Sequence, residues 1–176
     1  MKLRVLGSAG AEFPDFRPPA FLIDDQLLLD AGTIGSVLTE EEQWGLQNIF
    51  ITHSHLDHIR AIPALADNII IKNLRHSVTV YSIPEVISAL REHMFNDIIW
   101  PDFSVIPSPD RPVISFETID TGVEYTVSEY RIRAIPVIIR FRRSGIGSAK
   151  GPQHWSIPVI PVQPRRSGSM SMVSTP

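Results

Sequence analysis

The stretch that decides the fold is Asn48-Ile49-Phe50-Ile51-Thr52-His53-Ser54-His55-Leu56-Asp57-His58. Its first half, Asn48 to Thr52, is an apolar, β-branched run of strand type. Its second half places three histidines and an aspartate within six positions of the strand's end. Residues two apart on an extended strand end point the same way, so His53 and His55 can share one ion. The turn that follows swings Asp57 and His58 toward a second. Imidazoles suit zinc or iron and the carboxylate adds a harder oxygen donor, so Zn²⁺, Mn²⁺ and Fe²⁺ all fit. Two such ions would bring the pKa of a shared water near neutrality and polarise a phosphoryl or carbonyl oxygen. The competing reading is a loop that happens to be rich in histidine. It is disfavoured because half of the six histidines fall here, directly after one apolar strand.

Working outward, Lys2 to Leu6 alternates as a strand and stops at Gly7-Ser8-Ala9-Gly10, a turn that could cradle a phosphate but is explained more simply as a plain turn. Ala20-Phe21-Leu22-Ile23 and Leu27-Leu28-Leu29-Asp30 flank Asp24-Asp25-Gln26 as a hairpin. Asp30 either caps the next turn or holds a ligand histidine from behind. Thr39 followed by Glu40, Glu41 and Glu42 starts a short helix toward Trp44-Gly45. Downstream, Ile59 to Ala66 reads as helix, Ile69 to Ile71 as extended, and Val78 to Tyr81 as strand. Pro84 opens a helix reaching Phe95, and Pro101 to Pro112 is a loop with four prolines. Val113 to Thr118, Glu124 to Val127 and Arg131 to Ile135 read as strands. His76 and His93 read as solvated or structural. The pattern is that of a layered α/β or α+β domain without internal repeats.

With 176 residues, 43% of them apolar, the chain suits one domain. It has no cysteine, which excludes disulfide scaffolds and thiolate chemistry. No apolar run reaches a membrane span, and the amino terminus meets Gly7 before a secretory core could form, so the expected location is the cytoplasm. The net charge of −3 is divided: residues 1–136 hold 10 Lys/Arg against 19 Asp/Glu, a balance of −9, whereas residues 137–176 hold 6 Lys/Arg and no acid, a balance of +6. That last segment has five prolines and seven serines, with no sustained period after Val137-Ile138-Ile139.

Thr52-His53-Ser54-His55-Leu56-Asp57-His58, set between the Gly-Ser-Ala-Gly turn, Leu29-Asp30-Ala31-Gly32 and Ile59, resembles the signature of the metallo-β-lactamase superfamily. Its His-Leu-Asp-His-Ile form is similar to the class II 3′,5′-cyclic-nucleotide phosphodiesterases. Over residues 1–136 the resemblance implies the amino-terminal half of an αββα sandwich. It also implies two divalent ions, with zinc expected first and manganese or iron as alternatives. His53 and His55 would hold the first ion, Asp57 and His58 the second, and Asp57 would orient or accept a proton in catalysis.

The family completes its site with a third histidine, a bridging aspartate in a Gly-Asp-Thr type turn, and a final histidine. After Pro136 the sequence has only His154 and no acid. The genetic code offers a reason. If a base is missing near Val137, regrouping each codon's third base with the next codon's first two permits V-(N/D/H)-H-T-V-P-A-V-G-Y from Val137 to Ile146. The same frame permits T-G-D-T-G-P-T from Ile157 to Pro164. Both absent motifs then stand in one frame and in family order. Residues 137–176 are accordingly expected to be an out-of-frame, disordered tail in which His154 is no ligand.

These readings predict a metal-dependent hydrolase of small phosphodiesters, impaired in the chain as written. A related RNA 3′-processing endonuclease is the alternative within enzymes, and a body of −9 does not favour nucleic acid. A nucleic-acid module built on the basic tail has only Phe141 and Trp155 to stack bases, a poor platform. An inactive fragment is the third class, since a halved sandwich exposes sheet face and edge. The partner expected is a small-molecule substrate, with no membrane.

Overall fold

The computed structural model describes residues 1–11, 13–136 and the backbone of 159–162. The tail's other residues, including Val137 to Ile139 and His154, lie outside the described residues. Strands β1 (Leu3–Gly7), β2 (Ala20–Ile23) and β3 (Leu27–Leu29) come first, then helix α1 (Glu40–Trp44) and β4 (Asn48–Phe50). Helices α2 (Leu56–Ile59) and α3 (Ile62–Ile71), strand β5 (Val78–Ser82) and helix α4 (Pro84–His93) follow. Two-residue strands β6 (Pro107–Ser108) and β7 (Arg111–Pro112) pair within the proline-rich loop, and β8 (Ile114–Thr118), β9 (Glu124–Val127), β10 (Tyr130–Ala134) and β11 (Val159–Val162) complete the order.

A six-stranded sheet runs β1-β2-β3-β4-β5-β8, antiparallel through β3 and parallel from β3 to β8. The β2–β3 turn, Asp24 to Gln26, places Asp24 and Asp25 both at positive φ, and Gln26 N donates to Ile23 O at 3.1 Å. Register assigns the two faces. Leu22, Leu28, Ile49 and Val80 line one row and pack against the helices; Phe21, Leu29, Phe50 and Tyr81 line the opposite row. There a second sheet, β11-β10-β9, covers Phe50 and Leu27 with Tyr130, Ile132 and Ala134, and Phe50 stacks on Tyr81 at 4.6 Å. Tyr130 Oη donates to Asp24 Oδ2 at 2.8 Å, tying the second sheet to the hairpin turn. Leu3 and Val5 of β1 share that face and remain 58% and 57% exposed, so the second sheet stops short of the edge strand.

Two expectations need correction. Ile69 to Ile71 is the end of α3 rather than extended chain, because Ile62, Leu65, Ala66 and Ile69 are buried at the i, i+3, i+4, i+7 positions of one stripe. That packing outweighs the β-preference of the isoleucines. The helix expected from Ile59 to Ala66 is two helices, with Arg60 and Ala61 between α2 and α3. Residues 159–162 form β11, paired with β10 from Arg131↔Val162 to Ala134↔Val159.

Thr39 caps α1 in a full capping box with Glu42, whose carboxylate also pairs with Arg4 of β1. The hydrogen bond from Arg4, then that from the Thr39 amide, hold the Glu42 carboxyl down to about 2 from an ordinary 4.5. As pH falls the unfolded chain takes up this proton first. The contribution is therefore complete above about 4.5 and is lost between there and about 2. Urea midpoints measured across that window should fall less steeply for Arg4→Met than for the wild type.

Candidate metal centre

The site forms where the parallel strands end. β4 stops at Phe50, Ile51 donates its N–H to Tyr81 O, and the chain turns through His53 into α2 with His55 at its N-cap. Asp30 leaves β3 at φ 57°, a left-handed conformation that aspartate tolerates, and this aims its carboxylate across at the end of β4. Backbone bonds from Ala31 N to His58 O (2.7 Å) and from Ala61 N to Ala31 O (2.9 Å) fasten the loop after β3 to α2. Gly32 permits this approach: a Cβ there would stand 1.9 Å from Asp57 O and 2.6 Å from Pro18 Cβ. Gly32→Ala should lower stability by about 1–3 kcal/mol in urea titrations, since the first obstacle is backbone.

Asp30, buried at 3% exposure, is the centre of the hydrogen bonding. Its carboxylate accepts from Thr52 N at 2.8 Å, lies 2.9 Å from Thr52 Oγ1, and stands 2.8 Å from His58 Nδ1. A carboxylate only accepts, so His58 carries its proton on Nδ1 and Thr52 donates its hydroxyl proton to Asp30. Thr52 Oγ1 is then left to accept from His53 Nδ1 at 3.0 Å. Both imidazoles thereby keep a lone pair on Nε2, the state that a metal needs. Asp30 thus engages a histidine ring as well as the backbone and hydroxyl of Thr52.

The three rings form one cluster. His53 lies 4.5 Å from His55 and 3.9 Å from His58, centroid to centroid. Burial, with the nearby His58 and His55, pushes His53 down to about 4, so it is neutral at neutral pH. Burial also pulls on His58, but the hydrogen bond to Asp30 and the charges of Asp30 and Asp57 outweigh it and raise that imidazole. His58 Nε2 stands 3.5 Å from Asp57 Oδ2. Two donors each about 2.05 Å from a tetrahedral ion are about 3.4 Å apart, so this pair fits one ion. Among the described residues no three His, Asp or Glu side chains converge to hold an ion by themselves. The donor set therefore fits part of a metal shell.

Of the other candidates, His76 Nε2 is spent on Leu46 O at 2.6 Å, and His93 lies exposed at the end of α4. The glycine turn after β1 does reach the site, since a Cβ on Gly10 would stand 3.9 Å from Asp57 Oδ2. Thr52 was not singled out from sequence. Its signal was a hydroxyl between a strand and the first histidine, with an aspartate at the end of the neighbouring strand.

Comparison with known proteins follows this geometry. A model of the class-II cAMP phosphodiesterases matches residues 37–133. The chain belongs to this family. It is 31% identical over 108 residues to 3′,5′-cyclic-nucleotide phosphodiesterase 1 of Saccharomyces cerevisiae, covering 51% of this chain and 29% of that protein. It is 27% identical over 155 residues to Ribonuclease Z of Haloferax volcanii, covering 85% and 46%. The structure of unliganded yeast PDE1 superposes with a TM-score of 0.69 at 18% identity, over 90% of this chain and 60% of that one. The metallo-β-lactamase fold protein YhfI of Bacillus subtilis superposes at 0.52 and 18% identity, over 77% and 52%. The family member described here thus has the metallo-β-lactamase fold in part, spanning less than half the length of these two curated relatives. No helix among its described residues is long and apolar enough to cross a membrane.

Proposed function

We propose that this class-II phosphodiesterase family member carries the amino-terminal half of a metal-dependent phosphodiester hydrolase, with a 3′,5′-cyclic nucleotide as substrate. The observation that carries the reading is the pair His58 Nε2 and Asp57 Oδ2, 3.5 Å apart and backed by Asp30. His53 and His55, beside this pair, would hold a neighbouring ion. A divalent ion held there, zinc first and manganese or iron next, would supply a water of lowered pKa and polarise the phosphoryl oxygen. The residues supply the rest. Asp30 fixes the tautomer and aim of His58, Thr52 does the same for His53, and Asp57 orients the attacking water or accepts its proton.

We further propose that residues 137–176 are read out of frame, so that the third histidine and the bridging aspartate are missing and the hydrolase is impaired. An RNA substrate is the second reading, suggested by the match to Ribonuclease Z. The −9 balance of residues 1–136 weighs against it.

Metal analysis tests the half-site. Zinc titration of the purified chain should saturate at no more than one tightly bound ion, lost on Asp57→Ala. Two tightly bound ions per chain would overturn the incomplete site. The activity itself is tested by hydrolysis of 3′,5′-cyclic AMP against a structured RNA. Cleavage of the RNA alone would exchange the two readings.

A further inference from the structure

The loop after β1 is closed by Ala9 N, which donates to Arg17 O at 2.9 Å, and it turns back on itself at Phe13-Pro14-Asp15-Phe16. Phe16 N donates to Phe13 O at 2.9 Å, so these four residues form a β-turn. Proline stands at the second position, where its ring fixes φ in advance, and aspartate at the third. Such a turn brings its first and last residues side by side. The two rings meet edge to face, 6.0 Å between centroids and 80° between planes. Phe13 and Phe16 nevertheless stay 63% and 57% exposed, and neither enters the two apolar clusters of the core. A single exposed apolar side chain calls for no account. A proline-set turn that presents two rings to solvent is a platform with little freedom left to lose on binding.

The platform stands by the candidate metal centre. Gly10, Ala11 and Pro18 of the same loop face Leu56 and Asp57 of α2 across a cleft, and Leu56 is itself exposed. A Cβ on Gly10 would stand 3.9 Å from Asp57 Oδ2, and Phe13, three residues on, has its Cα within about 11 Å of that of Gly10. The approach to the Asp57 carboxylate is thus bordered by an aliphatic side chain and two aromatic rings. A bare phosphate gains nothing from such a border. A phosphodiester that carries a flat heteroaromatic base does, because every base offers a π-face.

We propose that Phe13 and Phe16 form a stacking platform that holds the nucleobase of the substrate while its phosphate lies beside Asp57. The inference rests on the phosphodiester reading above, and it adds two specificity-determining residues outside the histidine cluster. Purines, with the larger π-face, are held more tightly than pyrimidines.

The test is binding to the full chain, measured by NMR titration with EDTA present. The probes are 3′,5′-cyclic AMP, 3′,5′-cyclic CMP and methyl ribofuranoside 3,5-cyclic phosphate, which has the same cyclic phosphodiester and no base. The wild type should bind cyclic AMP about tenfold more tightly than the base-free probe, the scale of one stacked base, with cyclic CMP between them. Phe13→Ala combined with Phe16→Ala should remove that preference and leave the base-free probe unchanged. Both rings are exposed, so the urea midpoint of this double variant should match the wild type. Phe13→Trp should keep the preference, and its added fluorescence should be quenched by cyclic AMP but not by the base-free probe. Ile98→Ala, which removes an exposed side chain after α4, should change nothing. A preference retained in the double variant overturns the platform and spares the phosphodiester reading. Equal binding of the three probes by the wild type, or none, also overturns it. Weaker binding of the base-free probe by the double variant overturns a role confined to the base. The phosphodiester reading is judged separately, by hydrolysis.

Discussion

Inserting one base near codon 137 is expected to convert a chain with little or no hydrolysis into one that binds two divalent ions and cleaves 3′,5′-cyclic AMP, with a gain of at least about 10²-fold. The reason is the donor set. His58 Nε2 and Asp57 Oδ2 fit one ion, yet no three acidic or histidine side chains converge among the described residues. The restored frame permits a histidine after the end of β10 and a Gly-Asp-Thr turn where β11 now lies. The checks are metal content and product formation on the repaired gene product. If the gene has no such open frame, the frameshift is wrong. A repaired protein with two ions that leaves cyclic AMP intact would instead remove the substrate assignment.

In the repaired protein, His55→Ala and Asp57→Ala should each lower kcat by about 10²–10⁴-fold, the range for losing a general base or a direct participant in proton transfer. His93→Ala should be silent, because this side chain is exposed at the far end of α4. Steady-state kinetics on the three variants decide it. Equal losses in all three would trace the defect to folding rather than to the site.

Much of this was legible because it is local. Strand, turn and four donor residues occupy eleven consecutive positions. The hairpin at Asp24-Asp25 and the cap at Thr39 were readable for the same reason. What escaped depends on partners distant in sequence. Ile69 was read from its β-branched neighbours, whereas its burial with Ile62 and Leu65 decides the helix. Thr52 acquires meaning only when Asp30, 22 residues earlier, is placed beside it. The clustering of His58 around His53 follows from the turn into α2, whose angle no spacing rule supplies.

The carboxylate of Asp30 is engaged by Thr52 and His58 with no ion needed to hold it there. Ordering of that imidazole accordingly belongs to folding, and an ion captured there would find it already aimed. In small zinc modules the sequence is reversed: metal arrival and chain collapse are one event, and chelation unravels the polypeptide. Here the hydrophobic layers carry the architecture and hydrogen bonds from Thr52 and His58 to Asp30 set the loop, so chelation is expected to leave the fold in place.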